Sequence, residues 1–127
     1  MKAQELRIGN YVWDDYGGNM IIHQISNDLV DCKKENHLPS GRFDLSSIKP
    51  IVIDGNWLMK LGFEKSNNNT RFHTFDKDKL SIHLKSDQYK NGRTYFNSWC
   101  IIDKQIDYVH QLQNLYFALA GEELTLK

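Results

Sequence analysis

Through most of this chain apolar and polar residues alternate in short runs, and only twice does the spacing change to that of a helix. The first fifty residues predict strands broken by turns. Residues 8–13 come first, then Gly17, Gly18 and Asn19, which supply the positive φ of a tight hairpin, then 20–25, a turn at 26–28, and 29–33. A loop around Pro39 covers 37–41, a fourth strand 42–45, and a single 3₁₀ turn at 46–48 precedes a fifth strand, 49–53. Five short strands with a 3₁₀ turn before the last is the pattern of a small SH3-like β-barrel, which limits open edges by curling its sheet.

Asp54 follows as a predicted helix cap, with Trp57, Leu58 and Leu61 as the apolar stripe, Gly62 in the left-handed position past the end, and Phe63 folding back on the stripe. From there the period returns to two. Strands are expected at 71–75, 79–85 and 94–102, the first pair joined by a turn at 76–78 and the second by Asn91-Gly92, a type I′ signal. Centring the hairpin on Asn91-Gly92 pairs Leu84 with Trp99 and Ile82 with Ile101, so that Leu80, Ile82, Leu84, Trp99 and Ile101 share one apolar face. A closing helix, from Asp107 or His110 to Ala120, carries Val109, Leu112, Tyr116 and Leu119 at helical spacing, and Gly121 ends it. Its stripe is expected to cover the three-stranded sheet. The fold class expected is therefore α+β: residues 1–53 an SH3-like barrel, and 54–127 a short helix, a three-stranded antiparallel sheet and a C-terminal helix, the whole one continuous unit.

Composition narrows the function classes. At 127 residues the chain can bury a core without staples, and equal numbers of basic and acidic residues, 16 each, leave no global field that would attract nucleic acid or an anionic membrane. Any polyanion would have to be held by a local patch. The two cysteines, Cys32 and Cys100, form no CxxC pair, so they are expected to be free thiols in a reducing cytoplasm. The N-terminal ten residues have no apolar stretch of a secretory signal, and the longest apolar run, 115–120, is far short of the ~20 residues that span a bilayer. A cytoplasmic protein without membrane contact is expected.

Candidate chemistry is sparse, and no cofactor or metal is implied. Counting across the turn at 76–78 puts His73 opposite Ile82 and His83 opposite Phe72, so the two imidazoles point apart and share no metal. Centring the hairpin on Asn91-Gly92 puts His83 opposite Cys100, the geometry of a thiolate–imidazolium pair. The hairpin tip, with Tyr89, Lys90 and Arg93 and with Lys85 and Arg71 on nearby strands, combines cations and an aromatic ring as a nucleic-acid grip would. Tyr11, Trp13 and Tyr16 cluster near the first strand and serve either as a peptide-binding platform or as barrel core. His110, Gln111, Gln113 and Asn114 read as the solvent face of the last helix.

Three blocks also carry a resemblance: Leu6-Arg7-Ile8-Gly9-Asn10-Tyr11-Val12; Ile48-Lys49-Pro50-Ile51 leading into Trp57-Leu58-Met59-Lys60-Leu61-Gly62-Phe63; and the segment from Tyr108 to Leu119 with Gly121-Glu122-Glu123-Leu124. Together they resemble a group of small proteins of phages, prophages and mobile elements of the Bacteroides group, which has no assigned activity. The resemblance implies an accessory protein working inside the bacterial cell. The function expected is a non-enzymatic binding or adaptor role toward a host or phage protein. Nucleic-acid binding by the hairpin is the alternative, and a thiol-dependent enzyme using Cys100 and His83 the third.

Overall fold

The computed structural model describes residues 3–15, 18–34, 37–65, 72–77, 80–85, 92–96 and 100–126; for 3, 37–40, 72–74, 83–85, 92–96 and 100–105 it describes the backbone alone. The chain forms two compact units, one made of residues 1–51 and 108–123, the other of 52–107 and 124–127.

In the first unit a 3₁₀ turn, Ala3–Glu5, leads to four strands, β1 (Tyr11–Trp13), β2 (Asn19–Ser26), β3 (Leu29–Lys34) and β4 (His37–Asp44), paired antiparallel in that order. Strand parity builds its core, with one interruption. Val12 faces Met20 and Ile22 faces Cys32, all buried; then His23 has no partner, an extra residue that reverses parity so that Ile25, not Gln24, rejoins the core row through Val30 to Phe43. Leu6, Ile48 and Leu45 pack on the same cluster. At the β2–β3 turn Asn27 takes φ 42°, which its short polar side chain tolerates.

β4 begins at His37, where a loop was expected. Pro39 is accommodated because β4 is the last strand in the order and its pairing with β3 is irregular between Cys32 and Lys34, so the missing N–H breaks no ladder bond. After a 3₁₀ turn at Leu45–Ser47, the expected fifth strand is not a continuous strand but isolated bridging, and at its start Trp13 and Lys49 exchange N–H···O bonds of 2.9 Å. The sheet is four-stranded and antiparallel, and no closed barrel forms among the described residues.

The second unit opens with α1 (Gly55–Lys60), whose boundaries are local chemistry. Asp54 Oδ1 accepts the Trp57 N–H at 2.8 Å, and beyond the helix Gly62 (φ 95°) donates to the Met59 carbonyl while Phe63 donates to that of Leu58, a Schellman closure. Trp57, Leu58, Leu61 and Phe63 are buried as the stripe predicts. Five antiparallel strands follow in chain order, β5 (Glu64–Lys65), β6 (Phe72–Lys77), β7 (Leu80–Lys85), β8 (Gly92–Phe96) and β9 (Cys100–Ile106). Phe75, Leu80, Ile82 and Ile106 are buried. The Phe75 ring lies 3.2 Å from where a Cβ on Gly55 would stand, which explains a glycine at the first helical position.

The three-stranded sheet and its register are corrected. The single strand expected at 94–102 is two strands, β8 and β9, paired with each other. Ile82 faces Thr94 instead of Ile101, and Ile101 faces Tyr95. Gly92 starts β8 opposite Ile106 and His83 faces Arg93, a register that differs from the one centred on Asn91-Gly92. Across the preceding turn β6 runs through Lys77, which faces Leu80, and His73 faces Leu84 instead of Ile82; Ser81 Oγ–H donates to Asp76 Oδ1 across this pair.

The closing helix, α2 (Val109–Ala120), ends at Gly121 (φ 73°) as expected, and the Gln111 side chain reaches back to accept the Tyr108 N–H at its start. It groups with the first unit, residues 1–51 and 108–123. The Val109 N–H donates to the Ile51 carbonyl at 2.9 Å.

Candidate functional site

What binds α2 to the first unit is a set of polar side chains. Gln113 is fully buried, and its amide works as a substitute peptide group on the edge of β1: Oε1 accepts the Tyr11 N–H (2.8 Å) and Asn10 Nδ2–H (3.4 Å), and Nε2 donates to the Gly9 carbonyl (3.0 Å). One turn position on, Asn114 Oδ1 accepts from Asn10 Nδ2 (3.0 Å) while its own Nδ2 donates to the Glu5 carbonyl (2.8 Å). Asn10 is itself held by the Arg7 N–H, which donates to its Oδ1 at 2.7 Å. With Lys49 bridged to Trp13, these bonds cover the edge of β1.

The local sequence makes this attachment fit. Gly9 adopts φ 96°, a conformation closed to most side chains, and the turn is drawn tight by the Asn10 N–H to the Arg7 carbonyl (3.1 Å) and the Gly9 N–H to the Ile22 carbonyl (2.8 Å). Its outer side is formed by Arg7, whose guanidinium stands 3.8 Å from the centre of the Phe117 ring and donates through Nη2 to Glu123 Oε1 at 2.7 Å. Ile8, at the tip, is 60% exposed.

His110 sits one helical turn before Gln113 and Asn114 and is 1% exposed, with no hydrogen-bond partner on either ring nitrogen. The Tyr108 ring lies nearly parallel to it, 5.9 Å away between centroids. Burial lowers the His110 pKa below the ordinary histidine value; the Glu5 carboxylate pulls it back up and the amino terminus pushes it further down.

His110, Gln113 and Asn114 were expected to face solvent, and the structure overturns that. The signal that could have found them is their i, i+3, i+4 spacing on one helix face, which borders the apolar stripe. Of the peptide-platform residues, Tyr11 is buried, Trp13 is half-buried with Nε1–H donating to Asn19 Oδ1 at 3.0 Å, and Tyr16 lies outside the described residues. Arg71, Tyr89 and Lys90 also lie outside them, and Lys85 and Arg93 are described by backbone alone. The register does not put the candidate thiolate–imidazolium residues opposite each other: His83 faces Thr74 and Arg93, and Cys100 faces Phe96. Cys32 is a free thiol in the core of the first unit, and burial, with Asp31 adding to it, pushes its pKa up to about 11, the opposite of an activated nucleophile. Among the described residues no three His, Cys, Asp or Glu side chains converge as metal ligands, and no helix is long and apolar enough to cross a membrane.

The arrangement is thus an attachment device: its amides bond backbone groups and one another, and what it presents outward is an apolar side chain on a firmly held turn. Comparison with protein-family models, with curated proteins and with solved structures gives no match.

Proposed function

We propose that the chain is a non-enzymatic binding protein that engages a protein partner through the turn at Arg7–Ile8 and the adjacent Phe117. The observation that carries this reading is Ile8, 60% exposed on a turn that Gly9, Asn10 and Gln113 hold in one conformation. A large apolar side chain whose backbone is already ordered gives up little freedom on binding, and an arginine and an aromatic ring beside it are residue types enriched in protein interfaces. The finer fold, an SH3-like scaffold in the first unit, is part of the proposal. It is supported by the strand order, the 3₁₀ turn at Leu45–Ser47 and the Trp13–Lys49 bridge on the outer side of β1. An intracellular setting in a phage, prophage or mobile element of the Bacteroides group rests on the sequence resemblance alone.

Nucleic-acid binding through Arg71, Lys85, Tyr89, Lys90 and Arg93 is a second reading, favoured by one feature of the backbone. Lys85 faces Phe72 and Arg93 faces His83, which brings Lys85 and Arg93 to the same end of the sheet. One experiment separates the two. Immobilised protein is offered nuclease-treated and untreated extracts of the host bacterium, alongside Ile8→Glu and a Lys90→Ala/Arg93→Ala double variant. The partner reading expects a discrete protein that survives nuclease and is lost at least tenfold with Ile8→Glu; retention that needs nucleic acid and fails in the double variant would overturn it.

A further inference from the structure

We propose that His110 makes the clasp between α2 and residues 5–11 acid-sensitive, so that protonation of its ring releases this segment from the helix. The inference rests first on placement. His110 shares a helix face with Gln113 and Asn114, the two side chains that tie down Glu5, Gly9, Asn10 and Tyr11. It rests next on the ring's surroundings, since the imidazole is almost fully buried and neither nitrogen has a partner.

A neutral ring in that position already leaves one N–H and one lone pair unused. A protonated ring would bury a positive charge with two unpaired donors, far more costly than the neutral state. The charged groups acting on it are Glu5, on the 3₁₀ turn that Asn114 holds, and the amino terminus; from its own element it meets the Tyr108 ring. Glu5 alone favours the cation, but its side chain is exposed and its attraction is correspondingly screened. Water reaches the imidazolium most easily if α2 and residues 5–11 part, because side-chain bonds join the two, whereas Gly9, Asn10 and Tyr11 stay joined to Ile22 and Ile21 of β2. The four-stranded sheet can stay intact.

The sign follows from linkage. With the two parted the ring is solvated and titrates near ~6.5; with them joined the ring titrates lower, so below about pH 6.5 the open form binds more protons and the opening constant rises by up to about tenfold per pH unit.

The test is amide hydrogen exchange by NMR between pH 7.5 and 5, corrected for the intrinsic pH dependence of exchange. The reporter is Tyr11, whose N–H is bound by Gln113, and the Val30 and Cys32 amides of β3 serve as control. Protection of Tyr11 is expected to fall several-fold to tenfold per pH unit below 6.5 while the control holds, and the fall should vanish in His110→Phe. Constant protection at Tyr11, an equal fall in the control, or an unchanged fall in His110→Phe would each overturn the proposal. Should that variant not fold, the wild-type His110 ring resonances decide instead: a midpoint below 6.5 supports the device, and one at or above 6.5 overturns it.

Discussion

From a position without solvent Gln113 bonds the Tyr11 N–H, the Asn10 side chain and the Gly9 carbonyl, and removing its amide takes these bonds from buried and part-buried groups. Unsatisfied buried groups are penalised more heavily than the bonds they replace are rewarded. Gln113→Ala is therefore expected to lower the unfolding free energy by about 2–4 kcal/mol in urea titration. The nearby Arg7–Glu123 ion pair, about one-third exposed, should yield less than about 1 kcal/mol on Arg7→Ala apart from its contact with Phe117. Individual residues differ in how far the sequence exposes their roles. Asp54, Gly62 and Gly121 are legible because their work is done within a few positions of chain. Gln113 is not, because an amide on a helix has the same local signature whether it meets water or the edge of a strand a hundred residues away, here Tyr11.

Among the elements, α1 shows how short a helix can be when both ends are closed. Its six residues could not persist alone in water, so capping and burial must be separable contributions. Asp54→Ala should cost about 1 kcal/mol, the worth of one cap, and Trp57→Ala about 3–5 kcal/mol, the worth of a buried ring. Chemical denaturation of the two variants checks the ratio, and equal losses would mean that the ring is not part of the core. The strands teach the reverse lesson. Alternation located β2, β3, β6 and β7 and put Leu80 and Ile82 on a buried face, but their partners depend on register, which alternation leaves free. An extra residue at His23 and the pairing of β8 with β9 are decided by packing at a distance, which no local turn signal reports.

At the scale of the whole molecule, the apolar stripe of α2 declares that the helix must be buried, yet a stripe fits any apolar face. The stripe was legible, and the polar attachment beside it was not. Gln113 and Asn114 match the backbone around Glu5, Gly9 and Tyr11, and the first unit is discontinuous in sequence, residues 1–51 together with 108–123. A fragment of residues 1–53, the division that the strand pattern alone suggests, should lack cooperative thermal unfolding by circular dichroism. Supplying residues 108–123 through a short linker should restore it; a cooperative transition in the fragment by itself would contradict this assignment.

The bonds from Asn10 to Gln113 and Asn114 join residues 103 and 104 positions apart. Such remote partners meet only after most of the chain is available, since closing a long loop costs entropy before any contact repays it. During synthesis, at about 5–20 residues per second, the strands that hold Val12, Met20 and Val30 would wait several seconds with one edge uncovered, until α2 clears the ribosomal tunnel. The polar clasp therefore makes completion of the first unit wait on synthesis of residues 108–123, and it leaves the nascent strands natural clients for chaperones that shield open strand edges.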